Sequence, residues 1–118
     1  MAAANTNAVN ISVEMAGMIE SFLAGYNFTA EKKFETDGSV ILCLDEIEFL
    51  ISWGATEDEA LTDMAKDILG YAGDYYNDYA KWSRGANTVK HIPYVLKALM
   101  LGDADKIKEL IKCRHGEN

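Results

Sequence analysis

Residues 28–44 constrain the fold most. Phe28, Ala30, Lys32 and Phe34 alternate with Thr29, Glu31, Lys33 and Glu35, the two-residue period of an extended strand. Asp37-Gly38 then supplies the positive φ angles of a tight hairpin turn, and Val40-Ile41-Leu42-Cys43-Leu44 returns as a second strand. That strand is apolar on both faces, which places it in the interior of a sheet. After Asp45-Glu46, a third run from Ile47 to Trp53 sets Ile47, Phe49, Ile51 and Trp53 against Glu48, Leu50 and Ser52. Three antiparallel strands in succession make a meander.

The period then changes. Gly54-Ala55-Thr56-Glu57-Asp58-Glu59 reads as a helix start: Thr56 can accept from the free amide three residues on, Glu59 can reach back to the cap, and three acids complement the positive end of the helix. Ala60, Leu61, Met64, Ala65, Ile68, Leu69, Ala72, Tyr75, Tyr76 and Tyr79 keep one face apolar, which predicts a helix to about Lys81. Gly70 and Gly73 each cost about 1 kcal/mol relative to Ala, so a bend or break is expected near the tyrosines. Residues 85–88 read as a linker. Pro93 suits the first turn of a following helix that ends at Gly102, and Asp103 can cap a last helix from Ala104 to Cys113.

At the other end, residues 1–8 are small and polar and suit a flexible start. Val9, Ile11 and Val13 allow a short strand that would extend the meander, and Met15, Met18, Ile19, Phe22 and Leu23 predict a short helix. The expected fold class is therefore α+β: an antiparallel three-stranded meander packed against a long helix, with additional C-terminal helices. The expected division is an N-terminal segment, 1–27, and a domain with a C-terminal helical extension, 28–118.

Composition narrows the function. The 118 residues are 49% hydrophobic, enough for one domain with a core of its own. The formal net charge is −8, which argues against free nucleic acid and for a basic partner. Residues 1–38 carry −3, residues 39–84 carry −7 and residues 85–118 carry +2. Cys43 and Cys113 make no disulfide framework, and no stretch approaches a membrane span, so a cytoplasmic protein with no membrane partner is expected.

Chemistry is sparse. His91 beside Ile92-Pro93 reads as a packing residue before it reads as a base, and Cys113-Arg114-His115 lies too near the C-terminus to hold a nucleophile and base in line. No catalytic residue, metal site or cofactor is expected, since two histidines and two cysteines offer few ligands and the nine glycines form no phosphate loop. The partner-binding candidates are acidic and aromatic. Asp63, Asp67, Asp74 and Asp78, at intervals of four, seven and four, fall along one side of the long helix. A solvated face is the ordinary reading of such a row, and a docking ridge for a basic protein is the sharper one. Among the aromatics, Tyr75 and Tyr79 read as core, Tyr76 and Trp82 as interface anchors.

The order of strand, Asp-Gly turn, two strands and Gly-x-Thr-x-x-Glu-Ala helix start resembles the core of HicB-type antitoxins, through Phe34-Glu35-Thr36-Asp37-Gly38-Ser39-Val40 and Trp53 to Leu61. The continuation looks like a narrower group of bacterial antitoxins placed with the RelB and Phd types, through Ile68 to Tyr76, Trp82-Ser83-Arg84, His91 to Leu96 and Ile111 to Asn118. The resemblance implies the antitoxin of a type II toxin-antitoxin pair, neutralising a basic RelE-like or HicA-like ribonuclease toxin by direct binding. It also implies a homo-oligomer that reaches operator DNA only as part of a complex. Two departures stand out: residues 1–27 are short for a Phd-like DNA-binding module, and the C-terminal helices show no recognition helix. The alternatives are a small-molecule or peptide-binding regulatory module, with an aromatic pocket between sheet and C-terminal helices, and an enzyme using Asp45, Glu46 and His91.

Overall fold

The computed structural model describes residues 12–116. Helix α1 (Val13–Leu23) is followed by strands β1 (Phe28–Phe34), β2 (Val40–Leu44) and β3 (Ile51–Gly54), then the long helix α2 (Glu57–Asn77) and the single turn α3 (Tyr79–Trp82). A 3-10 turn (Val89–His91), helices α4 (Ile92–Leu101) and α5 (Ala104–Leu110) and a last strand, β4 (Ile111–His115), complete the chain. Val13 opens α1 where the sequence allowed a strand; Val9 and Ile11 lie outside the described residues.

The β1–β2 hairpin turns at Gly38, whose φ of 88° only glycine adopts without strain. The Asp37 carboxylate accepts from both the amide (2.9 Å) and the hydroxyl (2.6 Å) of Ser39, holding the turn closed. Strands β1, β2 and β3 pair antiparallel, but the sheet is not the three-stranded antiparallel one expected. It is four-stranded and mixed, in the order β3-β2-β1-β4, with β4 parallel to β1 and Phe28, Ala30 and Lys32 opposite Ile111, Cys113 and His115. The last helix therefore ends at Leu110, three residues before the expected Cys113. Ile111 and Cys113 pack on the core while Lys112 and Arg114 face outward, a two-residue period within five residues that the preceding helical spacing had masked. A parallel partner needs a long crossover, and the helices between β3 and β4 provide it.

All the helices lie on one side of the sheet. Phe28, Ala30, Val40, Leu42 and Leu44 form the sheet side of the core, and Ala60, Met64, Ala65, Ile68, Ala72 and Tyr75 of α2 form its lid, closed by Val95, Ala98 and Ile107. Each large apolar side chain so buried contributes roughly 1.5–3 kcal/mol. Thr56 caps α2 by accepting from the Glu59 amide (3.2 Å), and Lys32 and Lys108 pair with Glu57 and Asp58 in its first turn. The helix passes through Gly70 and Gly73 unbroken and ends at Asp78, where φ −132° and ψ 51° leave the helical region.

Strand β3 is shorter than the expected run from Ile47 to Trp53. Residues 47–50 turn instead, with the Leu50 amide donating to the Ile47 carbonyl (3.0 Å). The strand also presents its apolar side to solvent: Ser52 and Gly54 are buried, whereas Ile51 and Trp53 are 59% and 55% exposed. The cause is the two-residue connection to α2, which presses the first turn of the helix onto β3. A Cβ on Gly54 would lie 2.8 Å from Glu59 atoms, and the Ser52 hydroxyl donates to the Ala60 carbonyl at 2.9 Å. Only small residues fit beneath the helix start, so the large ones point away.

Candidate partner-binding surfaces

Helix α2 carries six acids and one lysine, a net −5 concentrated on one element. At about 100° per residue, Asp63, Asp67 and Asp74 fall within roughly 40° of one another, as the spacing predicts. Asp78 departs from that row because the helix ends one residue earlier; it occupies the break before α3 and makes no side-chain cap bond. Among the described residues none of these four carboxylates has an ion-pair partner, whereas Glu31, Asp45, Glu48, Glu57 and Asp58 are all paired. Partial burial, reinforced by the neighbouring Asp63, holds the Asp67 carboxyl above its usual range, so a cation arriving there relieves an existing cost.

Asp67 and Asp74 border a shallow groove of about 420 Å³ whose other walls include Phe49, Tyr71 and Trp82, with Gly70 between the two acids and Lys66 at the rim. Trp82 is half-buried. It lies edge-on to Tyr71 (5.5 Å between centroids) and stacks on Tyr75 (6.1 Å), while Lys81 sits over its ring at 4.7 Å. Tyr76 does not join this site: it is about 160° around the helix from Asp74. It lines a separate, wholly apolar groove of about 150 Å³ with Tyr79, Ile92, Leu96 and Leu99. Tyr75 is buried, as expected of a core tyrosine, but Tyr79 is 56% exposed because it falls beyond the break at Asp78.

A hydrogen-bonded trio, two members buried and the third at the surface, supports the acidic groove. His91 is fully buried; its Nδ1 lies 2.7 Å from the Tyr71 hydroxyl and its Nε2 lies 3.0 Å from Glu48 Oε1. Glu48 also pairs with Lys90, and these bonds, the lysine first, hold its carboxyl down at about 2. Burial pushes the Tyr71 hydroxyl up to about 12, so it stays protonated as a donor. The trio ties the 45–50 turn to the entry of α4 and fixes Phe49, whose ring meets Tyr71 and His91 edge-on at 5.0 and 5.7 Å. His91 is thus a packing and clamping residue. Asp45 instead binds Arg114, and Glu46 accepts from the Thr29 amide, so the trio imagined for an enzyme, Asp45, Glu46 and His91, is not brought together.

The space between sheet and C-terminal helices, expected to offer a ligand pocket, is filled by the core; the grooves run along outer surfaces. Among the described residues no cluster of His, Cys, Asp and Glu suits a metal, and no helix is long and apolar enough to cross a membrane.

Sequence reasoning missed the outer face of the sheet. Ile41 and Trp53 pair across β2 and β3, as do Cys43 and Ile51, forming an apolar patch on the side no helix covers. Toward β4 the same face becomes charged: Arg114 binds Asp45 through two bonds (2.9 and 3.1 Å) and reaches Glu31 at 3.3 Å, beside Lys33 and Lys112. The signal was Ser52 and Gly54, too small and too close to the helix cap to be the solvent side of β3.

Three likenesses bear on identity. The crystal structure of an antitoxin part of a toxin/antitoxin system from Syntrophomonas wolfei subsp. wolfei superposes with a TM-score of 0.78 at 31% identity, over 86% of this chain and 72% of that one. A deoxyribose-phosphate aldolase from Staphylococcus haemolyticus (strain JCSC1435) is 28% identical over 100 residues; this chain spans 85% of itself in that match but 40% of the aldolase. The family model for Phd-like antitoxins, described as antitoxin of toxin-antitoxin, RelE/RelB, TA system, matches residues 1–113. With nearly the whole chain inside that model and a solved antitoxin sharing its fold, this protein belongs to the Phd-like antitoxin family of toxin-antitoxin systems.

Proposed function

We propose that this antitoxin neutralises a basic ribonuclease toxin, RelE-like or HicA-like, by binding it directly in the cytoplasm and covering its RNA surface. The observation that carries the reading is the unpaired aspartate row of α2 beside the aromatic groove. A surface that must shed its nucleic-acid substrate when inhibited is basic, and the row offers the matching sign. Asp67 and Asp74 supply charge at the groove, with Asp63 and Asp78 extending it along the helix. Phe49, which is 53% exposed, and the solvent-facing part of Trp82 supply the apolar contact on which an aliphatic stem can rest. Tyr76 lies on the far side of α2, so it contributes only if the toxin wraps the helix. The chain needs no catalysis of its own for this role, and DNA contact would come only through an oligomer or the toxin complex.

Co-expression with the adjacent reading frame tests the reading. A small basic protein that co-purifies in stoichiometric amount, and whose RNA cleavage stops on mixing, is the expected result. No basic neighbour, or no complex, would sink it.

A further inference from the structure

We propose that Gly70 keeps the crest of α2 bare so that the main chain of a basic toxin segment crosses the helix there in close contact, with one cationic side chain reaching Asp67 and another Asp74. The inference rests on the toxin reading and adds to it the point at which the toxin meets the helix. Gly70 has no task inside this chain. It sits within an unbroken helix and has no positive φ, glycine is less favourable there than alanine, and a Cβ built on it meets nothing within 4 Å. At Gly54, by contrast, a Cβ would lie 2.8 Å from Glu59 atoms, so that glycine serves the fold.

The surroundings of Gly70 face outward. It is exposed in the wall of the groove of about 420 Å³, three residues after Asp67 and four before Asp74. At 1.5 Å per residue those two positions are about 10 Å apart along the axis. Between them the glycine leaves helix backbone uncovered, and the lack of a Cβ is what lets another main chain approach so closely. Charge selects the occupant. Among the described residues neither aspartate has an ion-pair partner, and α2 carries a net −5. A nucleic acid, or a second copy of this −8 chain, is repelled there, while a basic segment is drawn in. Gly73 supplies the contrast. Equally open, it lies about 60° round the helix from Gly70 on the side away from the aspartates, outside the groove wall.

Calorimetry with the basic protein that co-purifies on co-expression tests the proposal, with the thermal midpoint of each free chain as a second readout. Gly70→Ala and Gly73→Ala should both raise the midpoint, by about 4 °C, since each replaces a helical glycine where a methyl group has room. Only Gly70→Ala should weaken the complex, raising its dissociation constant about tenfold or more, with Gly70→Leu weaker still and Gly73→Ala within about threefold of wild type. Unchanged binding by Gly70→Ala, alongside loss in the variant carrying Asp67→Lys and Asp74→Lys, leaves the toxin reading intact and overturns the crossing at Gly70. Equal losses in the two alanine variants overturn it too, as does a lower midpoint for Gly70→Ala, which would give the glycine a role in the fold. Absence of any complex, or binding that survives every substitution, removes the toxin reading of the groove and this inference with it.

Discussion

The two sides of this small domain present opposite solutions to being exposed. The flank of α2 displays carboxylates without ion-pair partners beside an aromatic groove, while the open sheet face displays large apolar side chains beside the paired carboxylates Glu31 and Asp45. Unpaired charge steers a partner of opposite sign and loses little by remaining solvated; apolar area with balanced charge rewards close, dry contact. One core separates the two, so a substitution on either surface should leave the other intact.

Gly54 is where that separation is made, and altering it should have the largest effect. Gly54→Ala puts a Cβ 2.8 Å from Glu59 atoms, forcing α2 off β3; a loss of about 3 kcal/mol is expected from urea denaturation. A loss below about 0.5 kcal/mol would mean that the helix start yields easily and that the outward set of Ile51 and Trp53 has another cause. Next in size, His91→Leu leaves the buried Tyr71 hydroxyl and the Glu48 carboxylate short of a partner, at about 2 kcal/mol. It should also loosen Phe49, visible as faster amide exchange through residues 45–50, without touching the sheet face.

The smallest effect is a pH dependence. Glu48 is held at about 2 in the folded chain against an ordinary 4.5, so its contribution to stability is fully present above pH 4.5 and is lost as pH falls from there toward 2. Its side chain is 55% exposed, and solvent screening reduces that contribution to under about 1 kcal/mol. Glu48→Gln should therefore lower the urea midpoint slightly at pH 7 and flatten its decline between pH 4.5 and 3. An identical slope in the variant would remove the Glu48 clamp from the account of the groove.

The parts legible in the sequence were those set by local rules. The Asp37-Gly38 hairpin, the Thr56 cap, the aspartate spacing and the Gly102 helix stop each depend on a few neighbouring residues. What could not be read depended on distant partners. Strand β4 exists because β1 offers it an edge, and its five residues carry too few repeats to outweigh the helix before them. Trp53 points outward because of a helix start that follows it, and Glu48 meets His91 across 43 positions. Tyr76 and Trp82 looked alike as aromatic anchors, and only the geometry of α2 and its break at Asp78 puts them in different grooves.

The division between the two surfaces can be measured in one titration series with the toxin partner of this antitoxin. Calorimetry of the complex should show Asp67→Lys with Asp74→Lys raising the dissociation constant by about a hundredfold or more, while Ile51→Glu with Trp53→Lys changes it by less than about threefold. Unchanged affinity in the aspartate variant, or an equal loss in the sheet variant, would contradict the assignment of the toxin to the α2 groove.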